Sequence, residues 1–191
     1  IISSGIQAIE SEKNIKIHED EELLDLVTFL VEFPTLVLGS FEDKYIDLPM
    51  ELLVTVMRTH QKYFSTENET GNILPSFIIV SNTSPDNNDT VRKGAERVLR
   101  ARLEDAKFYY TEDSKLPLLD YGEKLKRVTF QEKLGSLYDK TERIKFLCSF
   151  LADTLNFPSK EKLLRAAILS KADLVTGIVR EFPELQGYMG M

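Results

Sequence analysis

Residues 73–80 read Ile-Leu-Pro-Ser-Phe-Ile-Ile-Val, an apolar run that predicts a strand. Pro75 confines the early part of this strand to a sheet edge or to the strand's beginning, because proline donates no ladder hydrogen bond. Residues 77–80 can therefore be central. The shorter run Thr35-Leu-Val-Leu-Gly39 is closed by glycine and predicts a second, buried strand.

Helical periodicity surrounds the two strands. Residues 19–32 predict a helix with an acidic first turn that favours the helix dipole, and its inner face would consist of Leu23, Leu24, Val27, Leu30 and Val31. Residues 49–60 predict a helix opened by Pro49, and residues 89–110 predict a long one. A further periodic stripe predicts a helix whose buried face is Leu134, Leu137, Tyr138, Ile144, Leu147, Cys148, Leu151 and Leu155.

The order of these elements predicts an α+β fold, in which mixed helices and short strands are followed by an all-α helical region. Residues 160–179 add more helix, in one piece or two. We therefore expect a mixed α/β module at residues 1–115, a connector at 116–133 and a helical domain at 134–191.

Composition restricts the class of protein. The 191 residues are 42% hydrophobic, which excludes a disordered chain, and their net charge of −7 argues against a surface made for nonspecific nucleic-acid binding. No run approaches the ~20 apolar residues of a membrane span. The single cysteine excludes an internal disulfide and fits a reducing cytoplasm. The chain begins at Ile1, so we expect an internal part of a longer protein, incomplete at its C-terminus.

Motifs for catalysis are absent. The sequence has no Gly-rich phosphate loop and no nucleophile elbow, and two histidines with one cysteine exclude a Cys/His zinc site. His60 follows a predicted helix, where histidine more often satisfies a carbonyl or the helix dipole. Asp173, Glu181 and Glu184 have basic neighbours in the sequence, so ion pairs are their expected use. The sequence therefore predicts no catalytic residue and no metal ligand.

One helix stands out by its charge. Residues 92–107 carry six cations against three acids inside an acidic chain. The candidate phosphate contacts are Arg92, Lys93, Arg97, Arg100 and Arg102. Lys93, Arg97 and Arg100 are spaced i, i+4 and i+7 and share one helix face, which could contact phosphates without base-specific geometry. The alternative is pairing within the helix, for instance of Lys93 or Arg100 with Glu96.

Specific strings recur in a fixed order along the chain. They are LPMELLVTVMRTHQKYF at 48–64, LPSFIIVSN at 74–82, GAERVLRARLEDAKFYY at 94–110, VTFQEKLGSLYDKTER at 128–143, LSKADLVT at 169–176 and EFPELQGYMG at 181–190. In this order they resemble the β subunit of bacterial glycyl-tRNA synthetase.

The resemblance implies a place in an α2β2 ligase that joins glycine to its tRNA. ATP and Mg²⁺ would be bound through the α subunit, so this chain itself would need no cofactor. The implied partners are the α subunit, tRNA-Gly and the remainder of the β subunit, and the implied folds are a B3/B4-like module and the start of an HD-like helical domain. The family-motif residues of unknown role are His60, Gln61, Lys62, Asp173, Glu184 and Gln186.

Two positions depart from the family's pattern. Gly94-Ala95-Glu96 stands where the family often has Gly-Asn-Glu, so an amide contact is lost. HD phosphohydrolases need an adjacent His-Asp to hold a metal that activates water, and this chain has Ser170-Lys171 in the equivalent place. Three hypotheses follow: an accessory, non-catalytic part of the ligase, a degenerate HD-type metal-dependent phosphohydrolase, and a purely structural interaction module.

Overall fold

The computed structural model describes residues 1–191, and internal contacts divide them into two units, Ile1–Lys107 and Phe108–Met191. Helices and small antiparallel sheets make up both units, which confirms the α+β fold predicted from the sequence. None of the helices has the length and apolarity that crossing a membrane would require.

The first unit contains four strands, three complete helices and the larger part of a fourth. The strands are β1 (Lys16–Ile17), β2 (Thr35–Ser40), β3 (Phe64–Glu67) and β4 (Ile73–Ser81), and the helices are α1 (Ile2–Lys13), α2 (Glu21–Leu30), α3 (Met50–Thr55) and α4 (Asn88–Asp113). The strands form one antiparallel sheet in the order β1-β3-β4-β2. The two predicted strands are thus present as β2 and β4, while α1, β1 and β3 are elements that the sequence pattern did not predict.

Strand β4 pairs on both sides from Ser76 onward, and Pro75 lies near its beginning, where β2 no longer pairs with it, which confirms the prediction for the early part of this strand. β2 pairs with β4 only as far as Ser40 opposite Ser76, and β3 shifts its register between Ser65 and Glu67. The ladders on both sides are therefore interrupted beside Pro75. This gap in the pairing accommodates a residue that has no N–H to donate.

Alternate residues of β4 are buried on opposite faces of the sheet. Ile78 belongs to a cluster with Ile2, Ile17, Leu23, Val27 and Phe64. On the other face the ring of Phe77 stacks on Tyr63, with 5.0 Å between the ring centroids. Gly39 of β2 pairs with Phe77, and a Cβ at position 39 would lie 2.5 Å from the Phe77 ring. Position 39 therefore requires glycine, because the ring fills the space of a side chain.

Helix α2 buries a narrower face than its periodicity predicted. Leu23 and Val27 are buried, but Leu30 is exposed, together with Leu26 and Phe29. The helix ends before Phe33-Pro34, as expected. Its outer surface is consequently apolar at the end that precedes β2.

Asp20 joins the start of α2 to a π-helical segment, Val56–Gln61, which continues α3 and completes the helix predicted at 49–60. The Asp20 carboxylate accepts a hydrogen bond from the Leu23 N–H at 2.8 Å and another from the Arg58 guanidinium, which also donates to Glu22 at 2.6 Å. Burial alone would raise the pKa of Asp20, but the bonds from Arg58 and Leu23 outweigh it and hold that pKa below its usual value.

Replacing Asp20 with alanine should lower the free energy of unfolding by about 1–2 kcal/mol, since α2 loses its N-cap and Arg58 loses a partner. The lowered pKa of Asp20 in the folded chain means that its contribution is present above pH 3.8, the ordinary value, and is lost as the pH falls through the folded value. Urea unfolding at pH 7 and at pH 3 measures both effects. An equal loss at the two pH values would contradict this account.

The second unit is mainly helical. It contains α5 (Leu118–Lys124), β5 (Thr129–Gln131), β6 (Gly135–Ser136), α6 (Leu137–Thr154), α7 (Lys160–Leu169) and α8 (Gly177–Glu181), with 3-10 turns at Leu125–Arg127, Ala172–Val175 and Pro183–Leu185. The stretch 116–133, expected to be a connector, holds helix α5 with the buried Tyr121 and a 3-10 turn that begins at the buried Leu125. Strand β6 also corrects the expectation of an all-α region from residue 134, because it pairs with β5 in a small antiparallel hairpin.

Helix α6 does not bury the stripe that its sequence predicted. Leu134, Leu147, Leu151 and Leu155 are all exposed, and Cys148, predicted in the core, is half-buried. The physical reason is that α6 packs on its neighbours through smaller residues, of which Thr141 and Ala152 are buried. The apolar periodicity therefore predicts the helix correctly, but the prediction that its apolar face turns to this core is wrong.

Asp113 fixes the short helix α8 within the second unit. Its carboxylate oxygens accept hydrogen bonds from the N–H groups of Gly177 at 2.9 Å and Ile178 at 2.7 Å. The buried Tyr121 hydroxyl donates to the same carboxylate at 3.0 Å. Burial, with the Asp113 hydrogen bond, raises the pKa of Tyr121 to about 12. Thr176 caps the helix as well, since its Oγ1 accepts the Val179 N–H.

Candidate nucleic-acid interface

The basic helix predicted at 89–110 is α4, and its orientation is set by its apolar residues. Ala95, Leu99, Leu103 and Ala106 are buried and recur at spacings of three and four, so they form one inner face. Lys93, Arg97 and Arg100 are exposed on the opposite side. The structure thus brings three of the five predicted cations together on one solvent face.

Two acids of α4 are bonded to the end of β2 and to the segment that follows it. Glu96 Oε1 accepts hydrogen bonds from the Ser40 N–H at 3.1 Å and from the Ser40 hydroxyl at 3.3 Å. Glu104 Oε1 accepts from the Tyr45 hydroxyl at 2.6 Å and from Lys44 Nζ at 2.7 Å. The bonds from Lys44 and Tyr45 lower the pKa of Glu104, so its charge is retained. Both acids therefore hold the helix to its unit.

This use of Glu96 and Glu104 does not follow from the sequence, where both count only as charges that weaken the basic helix. One signal is present, because residues eight apart are separated by little more than two turns and by about 80° around the helix. Their partners Ser40 and Tyr45 are more than fifty residues away in the sequence. No local pattern identifies such partners.

The predicted cations differ in their partners. Arg92 pairs with Asp89 at 2.5 Å and Glu96 at 3.4 Å, and Lys93 pairs with Asp89 at 2.6 Å. Pairing within the helix, the alternative weighed from the sequence, therefore occurs, but through Asp89 and Arg92, since neither Lys93 nor Arg100 pairs with Glu96. The pairs with Asp89 are exposed, and exposed ion pairs contribute about 0–1 kcal/mol each.

Two positions complete the set of five. Arg100 Nε lies 3.1 Å from a carboxylate oxygen of Glu42, in another exposed pair. Arg102 is half-buried and lies to the side of the face that Lys93, Arg97 and Arg100 share.

Arg97 forms no ion pair, and its side chain is open to solvent. Beside it, a Cβ built at Gly94 would have no atom within 4 Å, so the backbone there is open to solvent. Ala95, where the family often has asparagine, is buried. An amide at position 95 would therefore point into the unit and not toward a ligand on the basic face.

The His60-Gln61-Lys62 motif forms the end of the π-helical segment. All three residues are half-buried, and Lys62 takes a left-handed conformation with φ of 59°. The Lys62 ammonium donates to the Thr59 carbonyl at 2.7 Å, near the carbonyl end of the segment. π-Helical turns are frequent at functional sites. Here the Lys62 contact closes the end of the helix, and the chain continues into β3.

Asp173 is 2% exposed and is hydrogen-bonded to the C-terminal turn of the second unit. Its Oδ2 accepts the Gly187 N–H at 2.7 Å, and its carbonyl accepts the Thr176 hydroxyl at 2.6 Å. Glu184 and Gln186 are exposed at and after the 3-10 turn Pro183–Leu185, so they do not converge on Asp173.

The region of the predicted HD-type position offers little for metal binding. Ser170 is exposed and its hydroxyl donates to the Ala167 carbonyl at 2.9 Å, while Lys171 is half-buried. Across the chain, no group of three or more His, Cys, Asp or Glu side chains is arranged to hold a metal ion.

Comparison with known proteins gives the family. The profile described as "Glycyl-tRNA synthetase beta subunit" matches residues 1–191. Three similar curated proteins are all named glycine–tRNA ligase beta subunit. They come from Streptococcus agalactiae serotype Ia (50% identical over 192 residues), Geotalea daltonii (48% over 190) and Listeria monocytogenes serotype 4b (46% over 191).

The alignments cover 100%, 100% and 99% of this chain in turn, and 28% of each relative. The chain therefore spans between a quarter and a third of the length of these relatives. Because the family profile matches every residue, the chain belongs to the glycyl-tRNA synthetase β subunit family.

Proposed function

We propose that this chain is an accessory, non-catalytic part of a glycine–tRNA ligase, in which the exposed face of α4 contacts tRNA phosphates. The observation that carries the proposal is Arg97, an exposed guanidinium without an acidic partner on a helix whose acids Glu96 and Glu104 are bonded to its own unit. A cation in this state is available to a phosphate without first breaking an ion pair.

The geometry of the face suits a nucleic-acid backbone. Lys93 and Arg100 are seven residues apart, so their Cα atoms are separated by about 10 Å along the helix axis, with Arg97 between them. Their present pairs with Asp89 and Glu42 are exposed, so exchange for a phosphate costs little. Phosphate contacts of this kind position a nucleic acid without reading its sequence.

Within this proposal the rest of the reaction belongs to other parts of the enzyme. ATP, Mg²⁺ and glycine would be bound through the α subunit, and this chain would support tRNA-Gly binding and subunit assembly in the cytoplasm. The first unit would be the B3/B4-like module. The second would be a degenerate HD-like region, because Ser170-Lys171 places an ammonium where the metal-binding His-Asp is needed.

A purely structural module is the second candidate, favoured by the ion pairs of Arg92, Lys93 and Arg100. In that case the cations of α4 would serve only the fold. Arg97 separates the two candidates because it has no such pair to lose.

Reversal of one charge tests the proposal. In the assembled enzyme, Arg97→Glu should weaken tRNA-Gly binding about tenfold, through loss of one phosphate contact and added repulsion. Glycine activation by ATP should be unchanged, since that step would belong to the α subunit. The matched control is Lys162→Glu, another exposed helical cation without an ion pair, on α7. Equal tRNA affinities of wild type and Arg97→Glu would overturn the assignment.

A further inference from the structure

Helix α6 exposes its most apolar side to solvent and packs within its unit through a more polar one. The face that packs within the second unit carries Thr141, Lys145, Cys148 and Ala152, of which Thr141 and Ala152 are buried. The exposed side carries two phenylalanines and two leucines: Phe146, Leu147, Phe150 and Leu151. A surface helix normally buries its apolar stripe and exposes its polar one.

The size of this face is unusual for a surface left in water. Phe146 is 71% exposed and Phe150 is 61% exposed. A side chain of this size presents about 150–250 Å² when fully exposed, so the four residues together expose on the order of 400 Å². The largest apolar patch of a typical monomer is about 300–600 Å² and is often an interaction site.

We propose that the outer face of α6 docks an apolar segment of the same β subunit from outside residues 1–191. The related β subunits are covered over only 28% of their length, so most of the subunit in this family lies outside the matched segment. The occupant presents an apolar helix or strand face, because the surface offers rings and methyl groups. The inference rests on family membership and is independent of the proposed tRNA contact.

The size of the face favours an occupant in the same chain over a second copy. A stable complex between separate proteins buries about 800 Å² on each partner, which is more than this face supplies. A tethered segment is held at an effective concentration of about mM and needs less contact area. The α subunit and a second β subunit are therefore alternative outcomes of the test.

Photocross-linking in the complete β subunit, assembled with its α subunit, identifies the occupant. Phe150 is replaced by p-benzoylphenylalanine, which keeps the aromatic ring. We expect a cross-link within one β chain, to a peptide outside residues 1–191. A cross-link to an α subunit or a second β subunit, or the absence of any product, would overturn the proposal. Glu161 on α7, exposed and polar, is the control position and should not cross-link to the same peptide.

A thermal measurement makes the test independent of cross-linking chemistry. The double variant Phe146→Gln/Phe150→Gln of the complete subunit should lower Tm by about 5 °C or more, because two aromatic side chains lose a buried environment. The control pair Glu142→Gln/Lys162→Gln should leave Tm within about 1 °C, as surface substitutions do. An unchanged or raised Tm in the phenylalanine variant would mean that the face stays in water, which contradicts the docking.

Discussion

Replacing Phe77 with alanine should lower the free energy of unfolding by about 3–5 kcal/mol, a larger loss than we expect from Asp20→Ala or Gly39→Ala. The Phe77 side chain is 0% exposed and lies in the central strand β4. It stacks on Tyr63 and lies over Gly39, so its removal leaves a cavity between two strands and the next layer of rings. Because β2 and β3 flank it, the strands cannot close that cavity by a small shift.

The measurement is urea unfolding followed by circular dichroism, with hydrogen exchange to locate the loss in residues 1–107. Phe29→Ala is the matched control, because Phe29 is 88% exposed and its truncation should change the free energy by less than about 0.5 kcal/mol. Equal effects of the two substitutions would contradict the described core.

A double-mutant cycle of positions 39 and 77 measures the interaction between Phe77 and Gly39 directly. Gly39→Ala alone should cost about 1–3 kcal/mol, since its Cβ would clash with the Phe77 ring. In the Phe77→Ala background the same change should cost much less, because the ring is gone. Additive effects would show that the ring does not occupy the space above position 39.

Replacing Asp113 with alanine should lower the free energy of unfolding of the second unit by about 2–4 kcal/mol. The substitution leaves the N–H groups of Gly177 and Ile178 without their acceptor and deprives the buried Tyr121 hydroxyl of its partner. Each polar group left unsatisfied away from water costs about 1–3 kcal/mol, and the Thr176 cap offsets only part of this loss.

Hydrogen exchange should show the largest loss of protection at 177–181, with little change in residues 1–107. Glu112→Ala is the neighbouring control, because the Glu112 carboxylate pairs only with the exposed Lys115 and its loss should cost less than about 0.5 kcal/mol. If Asp113→Ala lost hydrogen-exchange protection only at the helix end around Glu112, the capping role of Asp113 would be contradicted.

The sequence predicts the elements whose signals are local. The apolar runs of β2 and β4 and the periodicity of α4 need no knowledge of distant residues. Strand β3 is not predicted because its buried residues Ser65 and Thr66 are polar and leave no apolar run in the sequence. The Thr66 hydroxyl donates a hydrogen bond to the Ser76 carbonyl on the neighbouring strand β4.

The outer face of α6 could not be predicted for a different reason. Periodicity shows that a helix has an apolar side, but not whether the neighbour that covers it belongs to the same segment. Leu147 and Leu151 are expected in this core from the sequence because the sequence shows no other neighbour.

The candidate interface is predictable in part. Helical spacing places Lys93, Arg97 and Arg100 on one side, and the structure has them there. The pairing of Arg100 with Glu42 joins positions 58 residues apart and depends on the fold. What distinguishes Arg97 from its neighbours therefore follows from tertiary structure alone.

The salt dependence of tRNA-Gly binding by the assembled enzyme tests the central claim most directly. If Arg97 contacts a phosphate, the plot of log K against log salt concentration should be less steep by about 1 for Arg97→Gln than for wild type, while Lys162→Gln keeps the wild-type slope. Identical slopes for wild type and Arg97→Gln would contradict the claim that the outer face of α4 binds the tRNA backbone.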